Sequence, residues 1–252
     1  QAEAHVTTLS ALVEKDVGEI ERGLPEGGKK LSVLFDGGAD PSKDLPNVRQ
    51  KLRRLRNDVP DLLVSKSTFF ALTDDKGVAI RNDLETDVMA GQNLQQIFPG
   101  LAKAAGGYTT TLGAFPGATG PADKDWIAAV PVKDKDGAVK GMLVTGWSLR
   151  VFANHLQENL KRELQEQLQK SGDTGKMPIF YVGVFDKDAV YMPKLTPAVT
   201  EQSLKDLDLV GKTASGRAQG VMDITGRAYG WAAGRTPKLA PDTGVVVVRS
   251  EI

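Results

Sequence analysis

The sequence predicts an α+β protein made of two similar units, each a five-stranded antiparallel sheet with flanking helices, preceded by a long N-terminal helix. Three observations predict it. Two stretches, 68–148 and 179–249, repeat one order of strand, turn, strand, helix and three further strands. A 22-residue helical run, Leu149 to Lys170, separates them, with Phe152, Leu156, Leu160, Leu164 and Leu168 recurring every four residues. A second amphipathic run opens the chain, where Val6, Leu9, Val13, Val17, Ile20 and Leu24 step by three or four. An internal repeat of this size marks a duplicated structural unit.

Taken in order, the first helix spans 3–24, and Gly23, Pro25, Gly27 and Gly28 read as its stop. Leu31 to Phe35 is a short helical turn, 37–46 is loop, and Val48, Leu52, Leu55 and Val59 define a second helix ending near Pro60. The period then changes to that of strands. Residues 68–73 and 78–82 flank Asp74-Asp75-Lys76-Gly77, a turn in which glycine supplies a positive φ. Helical pieces fill 84–105, broken at Gly91 and Pro99-Gly100. Tyr108 to Leu112, Trp126 to Val132 and Val139 to Ser148 complete a meander, the last two joined by a turn at Lys133 to Gly137. Ser171 to Gly175 ends the connecting helix, and the pattern restarts. Strands follow at 179–185 and 189–192, a helix at 197–210, and strands at 220–225, 229–234 and 244–249. The boundaries drawn from this are 1–66 for an N-terminal helical region, 67–148 and 173–252 for the two sheet domains, and 149–172 for the helix between them.

Composition narrows the function classes. Of 252 residues, 40% are hydrophobic and 25% charged, as in folded globular proteins. Lysine plus arginine and aspartate plus glutamate both number 32, so no global basic field exists to hold nucleic acid or an anionic membrane. The chain has no cysteine, which removes thiolate chemistry and Cys-type zinc sites. No apolar run is long enough to cross a bilayer.

Enzyme motifs fail on inspection. Gly23 to Lys29 approaches a phosphate-binding loop, but Lys30 stands where a Ser or Thr would hold magnesium, and a helix precedes it instead of a strand. Gly146-Trp147-Ser148 lacks the closing glycine of a nucleophile elbow. His5 and His155 are the only histidines and have no triad or zinc spacing around them. The chain therefore reads as a non-enzyme, with no cofactor and no metal. The basic stretch Arg49, Lys51, Arg53, Arg54 and Arg56 has residue types that suit phosphate, but interleaved leucine and valine read it as the solvated face of an amphipathic helix.

A pocket remains. Ala128 and Ala129 leave room in mid-strand, and Arg81, Tyr108, Trp126, Thr145 and Trp147 fall around it. Aromatic walls with one or two polar anchors are the general form of a small-molecule site. Arg81 is read as the charged anchor and Tyr108, Trp126, Ala128, Thr145 and Trp147 as the walls. Tyr181, Tyr191, Arg227, Tyr229 and Trp231 offer a lower-ranked counterpart in the second repeat.

The segment Phe70 to Asn82, with Gly91-Gln92-Asn93-Leu94, Ala129 to Val132, Asp136-Gly137 and Lys140 to Leu143, resembles the hairpins and helix entry of Cache domains, the PAS-like sensors of bacterial chemoreceptors and sensor kinases. The resemblance covers about 65–250 and implies two PAS-like (Cache) domains. It implies the periplasmic part of an inner-membrane methyl-accepting chemotaxis receptor, with flanking transmembrane helices in the full-length protein. It also implies a small organic ligand, a short carboxylate such as acetate. A histidine-kinase sensor domain and a free-standing periplasmic binding protein are the alternatives. The Tyr, Arg and Trp-Tyr signature of amino-acid-binding relatives is not recognisable, which favours other small molecules. The apolar stripe of the first helix, spaced like a short coiled-coil seam, predicts a homodimer contact.

Overall fold

The computed structural model describes residues 2–117, 120–172 and 177–250. The chain divides into two compact units, Asp16–Ser148 and Gln1–Lys15 together with Leu149–Ile252.

In the unit Asp16–Ser148, β1 (Phe69–Thr73), β2 (Ala79–Asn82), β3 (Thr109–Gly113), β4 (Asp125–Lys133) and β5 (Val139–Ser148) form one antiparallel sheet in the order β2-β1-β5-β4-β3. The expected meander is corrected here. β5 returns to lie beside β1, pairing Phe70 with Thr145 and Leu72 with Leu143, so the first and last strands are interior and β2 and β3 are the edges. β1 is buried on both faces, which suits a central strand and explains its unbroken apolar run. Its first residue is held by the Thr145 hydroxyl, which donates to the Phe69 carbonyl at 2.6 Å.

Both tight hairpins of this sheet use one device. Asp74 Oδ1 accepts the N–H groups of Lys76 and Val78, both at 2.9 Å, and Asp134 Oδ1 accepts those of Asp136 and Ala138 at 2.9 and 3.0 Å. Gly77 and Gly137 each take φ of +83°, the left-handed conformation that closes the turn. One face of the sheet is covered by α4 (Leu94–Ile97) and the 3-10 segment Pro99–Gly106. Phe98, Leu101 and Ala104 from this cover pack with Phe69, Ala71, Ile127, Ala129 and Val144 from the strands.

The first helix does not stop where the glycines suggest. α1 runs Ala2–Leu31 and carries Gly23, Pro25, Gly27 and Gly28 inside it. The reason is packing. A Cβ at Gly23 would lie 2.9 Å from Leu62, one at Gly27 2.9 Å from Leu143, and one at Gly28 3.0 Å from Val130. These glycines are the face through which the helix meets the sheet and its neighbours. The residues that resemble a phosphate-binding loop are thus helical. α2 (Leu45–Asp58) and α3 (Pro60–Val64) follow. A second correction concerns the α1 stripe. Val6, Leu9, Val13, Val17, Ile20 and Leu24 are all buried within the chain, so none of them is free to form the seam of a dimer.

In the other unit, β6 (Phe180–Phe185), β7 (Val190–Tyr191), β8 (Ala218–Ile224), β9 (Arg227–Arg235) and β10 (Gly244–Ser250) repeat the same order, β7-β6-β10-β9-β8. The Asp turn recurs, with Asp186 Oδ1 accepting from Asp188 and Ala189 at 2.8 and 3.0 Å. The expected helix at 197–210 is two short ones, α6 (Ala198–Lys205) and α7 (Leu209–Lys212), because Asp208 between them has φ of +50°. α5 (Leu149–Ser171) buries Phe152, Leu156 and Leu160, while Leu164 and Leu168 are half-buried. Arg150 of α5 is buried and grips Glu201 of α6 with two bonds of 2.8 Å. Residues 173–175 of the expected helix stop lie outside the described residues.

Candidate functional site

The register of the first sheet fixes the sequence-selected residues before any cavity is considered. Trp126 pairs with Trp147 and Ala128 with Thr145, and Ala128 also pairs with Thr110 of β3. Directly opposed residues share a face, so Trp126, Ala128, Thr145 and Trp147 lie together on the face opposite Ala129 and Ile127. All four are fully buried. The two indoles stack with centroids 4.3 Å apart and planes 22° from parallel. The structure brings these four together as a packed layer.

Arg81 is placed elsewhere. It sits on the edge strand β2, opposite Leu72, and its Nη1 lies 3.2 Å from Asp87 while its Nη2 donates to the Leu84 carbonyl at 3.2 Å. Asp87 also accepts the N–H groups of Asn82, Met89 and Ala90 at 2.8 to 3.0 Å. Burial pushes the Asp87 carboxyl up, but those N–H groups and Arg81 outweigh it and hold it below its usual range. The pair therefore staples the segment after β2 to the edge of the sheet.

Tyr108 lines a cavity. A space of about 420 Å³ opens between the C-terminal third of α1 and the β4 end of the sheet. Pro25, Val130, Pro131 and the Tyr108 side chain supply its less polar lining, and Lys29, Ser32 and Lys133 its polar groups. Gly28 of α1 lines the space at the place where the helix packs closely on Val130 and Pro131. The Tyr108 hydroxyl is buried and has no hydrogen-bond partner among the described residues. Burial, and next the charge of Glu21, raise its pKa, so it stays a neutral O–H donor. Lys29 holds Glu26 at 3.2 Å but is largely exposed, and Lys133 is exposed as well. Asp134, at the cavity rim, is held below its usual pKa chiefly by the Ala138 N–H and is committed to its turn.

Sequence reasoning missed this cavity because it took Gly27 and Gly28 as a helix stop. Once they are inside a helix, two adjacent glycines facing a strand signal close packing, and the cavity opens beside that contact.

In the second unit, Tyr229 and Trp231 pack in the covered core with Tyr181 at its margin. Tyr191 donates to Asp186 from inside the protein. Arg227 is exposed at the start of β9.

No family model matches the chain, and no curated protein matches it. Solved structures do. An extracellular ligand-binding receptor from Desulfohalobium retbaense superposes with a TM-score of 0.58 at 13% identity, over 98% of this chain and 39% of that one. The chain thus spans about two-fifths of that receptor's length. The ligand-binding domain of the Campylobacter jejuni chemoreceptor Tlp3, solved in complex with L-valine, gives 0.56 at 11% identity, over 98% of this chain and 90% of that one. The sensor domain of the Vibrio cholerae histidine kinase DctB gives 0.50 at 15% identity, over 99% and 95%. The chain has the double PAS-like fold of these sensor domains.

Proposed function

We propose that this chain is the periplasmic ligand-sensing part of a bacterial chemoreceptor and that the unit Asp16–Ser148 binds a small organic solute carrying a carboxylate. The observation that supports the reading most is a cavity of about 420 Å³ lined by Tyr108, whose buried hydroxyl has no hydrogen-bond partner among the described residues, within a doubled PAS-like fold. A buried donor without an acceptor costs about 1–3 kcal/mol, and a ligand oxygen placed against it recovers much of that. Lys29 and Lys133 draw a carboxylate to the mouth, Tyr108 donates to one of its oxygens, and Pro25, Val130 and Pro131 take the apolar remainder. The volume lies at the low end for small-molecule sites, which suits a compact solute. Trp126, Ala128, Thr145 and Trp147 serve as the rigid layer behind the site, while Arg81, paired with Asp87 at the far edge of the sheet, has a structural role away from it.

The ligand class is a short carboxylate such as acetate or an amino acid. The Tlp3 domain is described with L-valine, which also carries a carboxylate. Signal transfer follows from what lines the cavity. Pro25, Gly28 and Lys29 belong to α1, so a ligand that favours one position of this helix shifts its population. No helix among the described residues is long and apolar enough to cross a membrane, so the anchoring helices of such a receptor would be other segments. The DctB likeness favours a second reading, the sensor domain of a histidine kinase, which uses the same site. A thermal-shift screen of short carboxylic acids, amino acids and purines tests the proposal. It predicts that at least one carboxylate raises the melting temperature, and inertness of the whole panel at millimolar concentration contradicts it.

A further inference from the structure

We propose a second ligand site, independent of the Tyr108 cavity: the groove over α2 binds a phosphate-bearing anion. Helix α2 buries Val48, Leu52 and Leu55 and turns two adjacent rows outward. Arg49, Arg53 and Arg56 form one row and Gln50, Arg54 and Asn57 the other, each with spacings of four and then three residues, so each row lies along one helical ridge. The segment Asp83 to Glu85 makes the opposite wall of a groove of about 750 Å³. Four guanidiniums there face two carboxylates, an excess of two positive charges. A phosphate monoester near neutral pH carries close to two negative charges.

The pairing within the groove leaves capacity for a ligand. Arg56 is fixed, with Nη1 donating to the Ser67 carbonyl at 3.2 Å, Nη2 to Asp83 at 3.4 Å, and its guanidinium 4.6 Å over the Phe70 ring. Arg49 pairs with Glu85, whose side chain is 88% exposed, and such an exposed pair holds weakly. Arg49 Nε is buried and donates to nothing among the described residues. Arg53 and Arg54 are exposed and have no ion pair among the described residues. The residues lining the groove therefore include one with a buried orphan donor, one pre-positioned arginine and two with no ion pair among the described residues. Guanidinium forks match phosphate oxygens two at a time, which lysines do not. The plain alternative, a solvated helix face, accounts for the exposed arginines but leaves the buried Nε unexplained.

The test is calorimetric titration of the whole chain at low ionic strength with inorganic phosphate and pyrophosphate, beside cosedimentation with vesicles containing phosphatidylglycerol. The variants are Arg53→Gln with Arg54→Gln, and, as an equal charge loss outside the groove, Lys76→Gln with Lys135→Gln. All four positions are exposed, so folding is retained. The expected result is binding to at least one of these probes, weakened about tenfold or more by the arginine pair and unchanged by the lysine pair. Binding to free phosphate or pyrophosphate identifies a soluble ester as the source, and binding to vesicles alone identifies a lipid headgroup. No binding to any probe, or equal losses in the two variants, overturns the proposal. The groove shares no lining residue with the Tyr108 cavity, so Tyr108→Phe leaves phosphate binding intact and the two readings fail separately.

Discussion

Replacing Asp125 with Asn is expected to stabilise the unit Asp16–Ser148 at neutral pH and to do nothing in acid. Asp125 opens β4, opposite Gly113 and Ser148 in the register. Burial first, and then the neighbouring Asp123, push its carboxyl from the ordinary 3.8 up to about 6, against the opposing effect of the Phe115 N–H it accepts. A rise of roughly two units corresponds to about 3 kcal/mol at about 1.4 kcal/mol per unit. The side chain is partly exposed, and solvent screening reduces this to about 2 kcal/mol. The folded state binds this proton more tightly than the unfolded one. The stability it brings is therefore fully present below pH 3.8 and lost as pH rises through about 6. Asn keeps an acceptor for Phe115 and carries no charge at any pH. Urea denaturation at several pH values measures the effect, followed by tryptophan fluorescence, since two of the three tryptophans, Trp126 and Trp147, are in this unit. The reasoning is refuted if Asp125→Asn leaves stability unchanged at pH 7.5, or if a difference there persists undiminished at pH 3.5.

Three further outcomes follow from particular contacts. His5 accepts from Arg249 at 2.9 Å in its neutral form, and burial, then Arg249, lower its pKa from 6.5; its own unit should therefore lose stability as pH falls below about 6.5, and His5→Gln should flatten that slope in urea titrations. Glu201→Ala removes the carboxylate that the buried Arg150 grips, leaving the Met192 carbonyl to its Nη1, and should cost about 3 kcal/mol, most of it restored by adding Arg150→Met, as read from melting temperatures. Gly27→Val places a Cβ 2.9 Å from Leu143 and 3.2 Å from Leu62 and should cost about 1–3 kcal/mol; an unchanged melting temperature would show that α1 does not pack through its glycines.

Much of the fold was legible because turn chemistry is local. The Asp-to-Gly turns at 74–77 and 134–137 and the alternating runs beside them place β1, β2, β4 and β5 within a residue or two of where they lie. Strand order was not legible, because the pairing of Phe70 with Thr145 joins residues far apart in sequence and no local pattern encodes it. The end of α1 was misread for a related reason. Glycine and proline disfavour a helix locally, and only the approach of Leu62, Leu143 and Val130 shows why they are there. The α1 stripe shows the same limit, because a coiled-coil spacing and a self-packed face are identical in sequence. At the candidate site, residue types identified Tyr108 and the tryptophan layer, but the partner of Arg81 could not be seen until Asp87 was folded against it. Lys29 and Lys133 went unnoticed because they lie 104 residues apart.

The central claim, that the Tyr108 cavity receives a carboxylate ligand, is tested most directly by measuring stability and affinity together for wild type and Tyr108→Phe. Removing a buried hydroxyl that has no partner should raise the stability of the empty chain by about 1 kcal/mol. The same change removes the donor to the ligand and should weaken the best-binding carboxylate of the panel by roughly tenfold in calorimetry, an opposite-signed pair that a purely structural tyrosine does not give. Equal affinity of the two proteins for that ligand, or a Tyr108→Phe chain that is less stable when empty, contradicts the account.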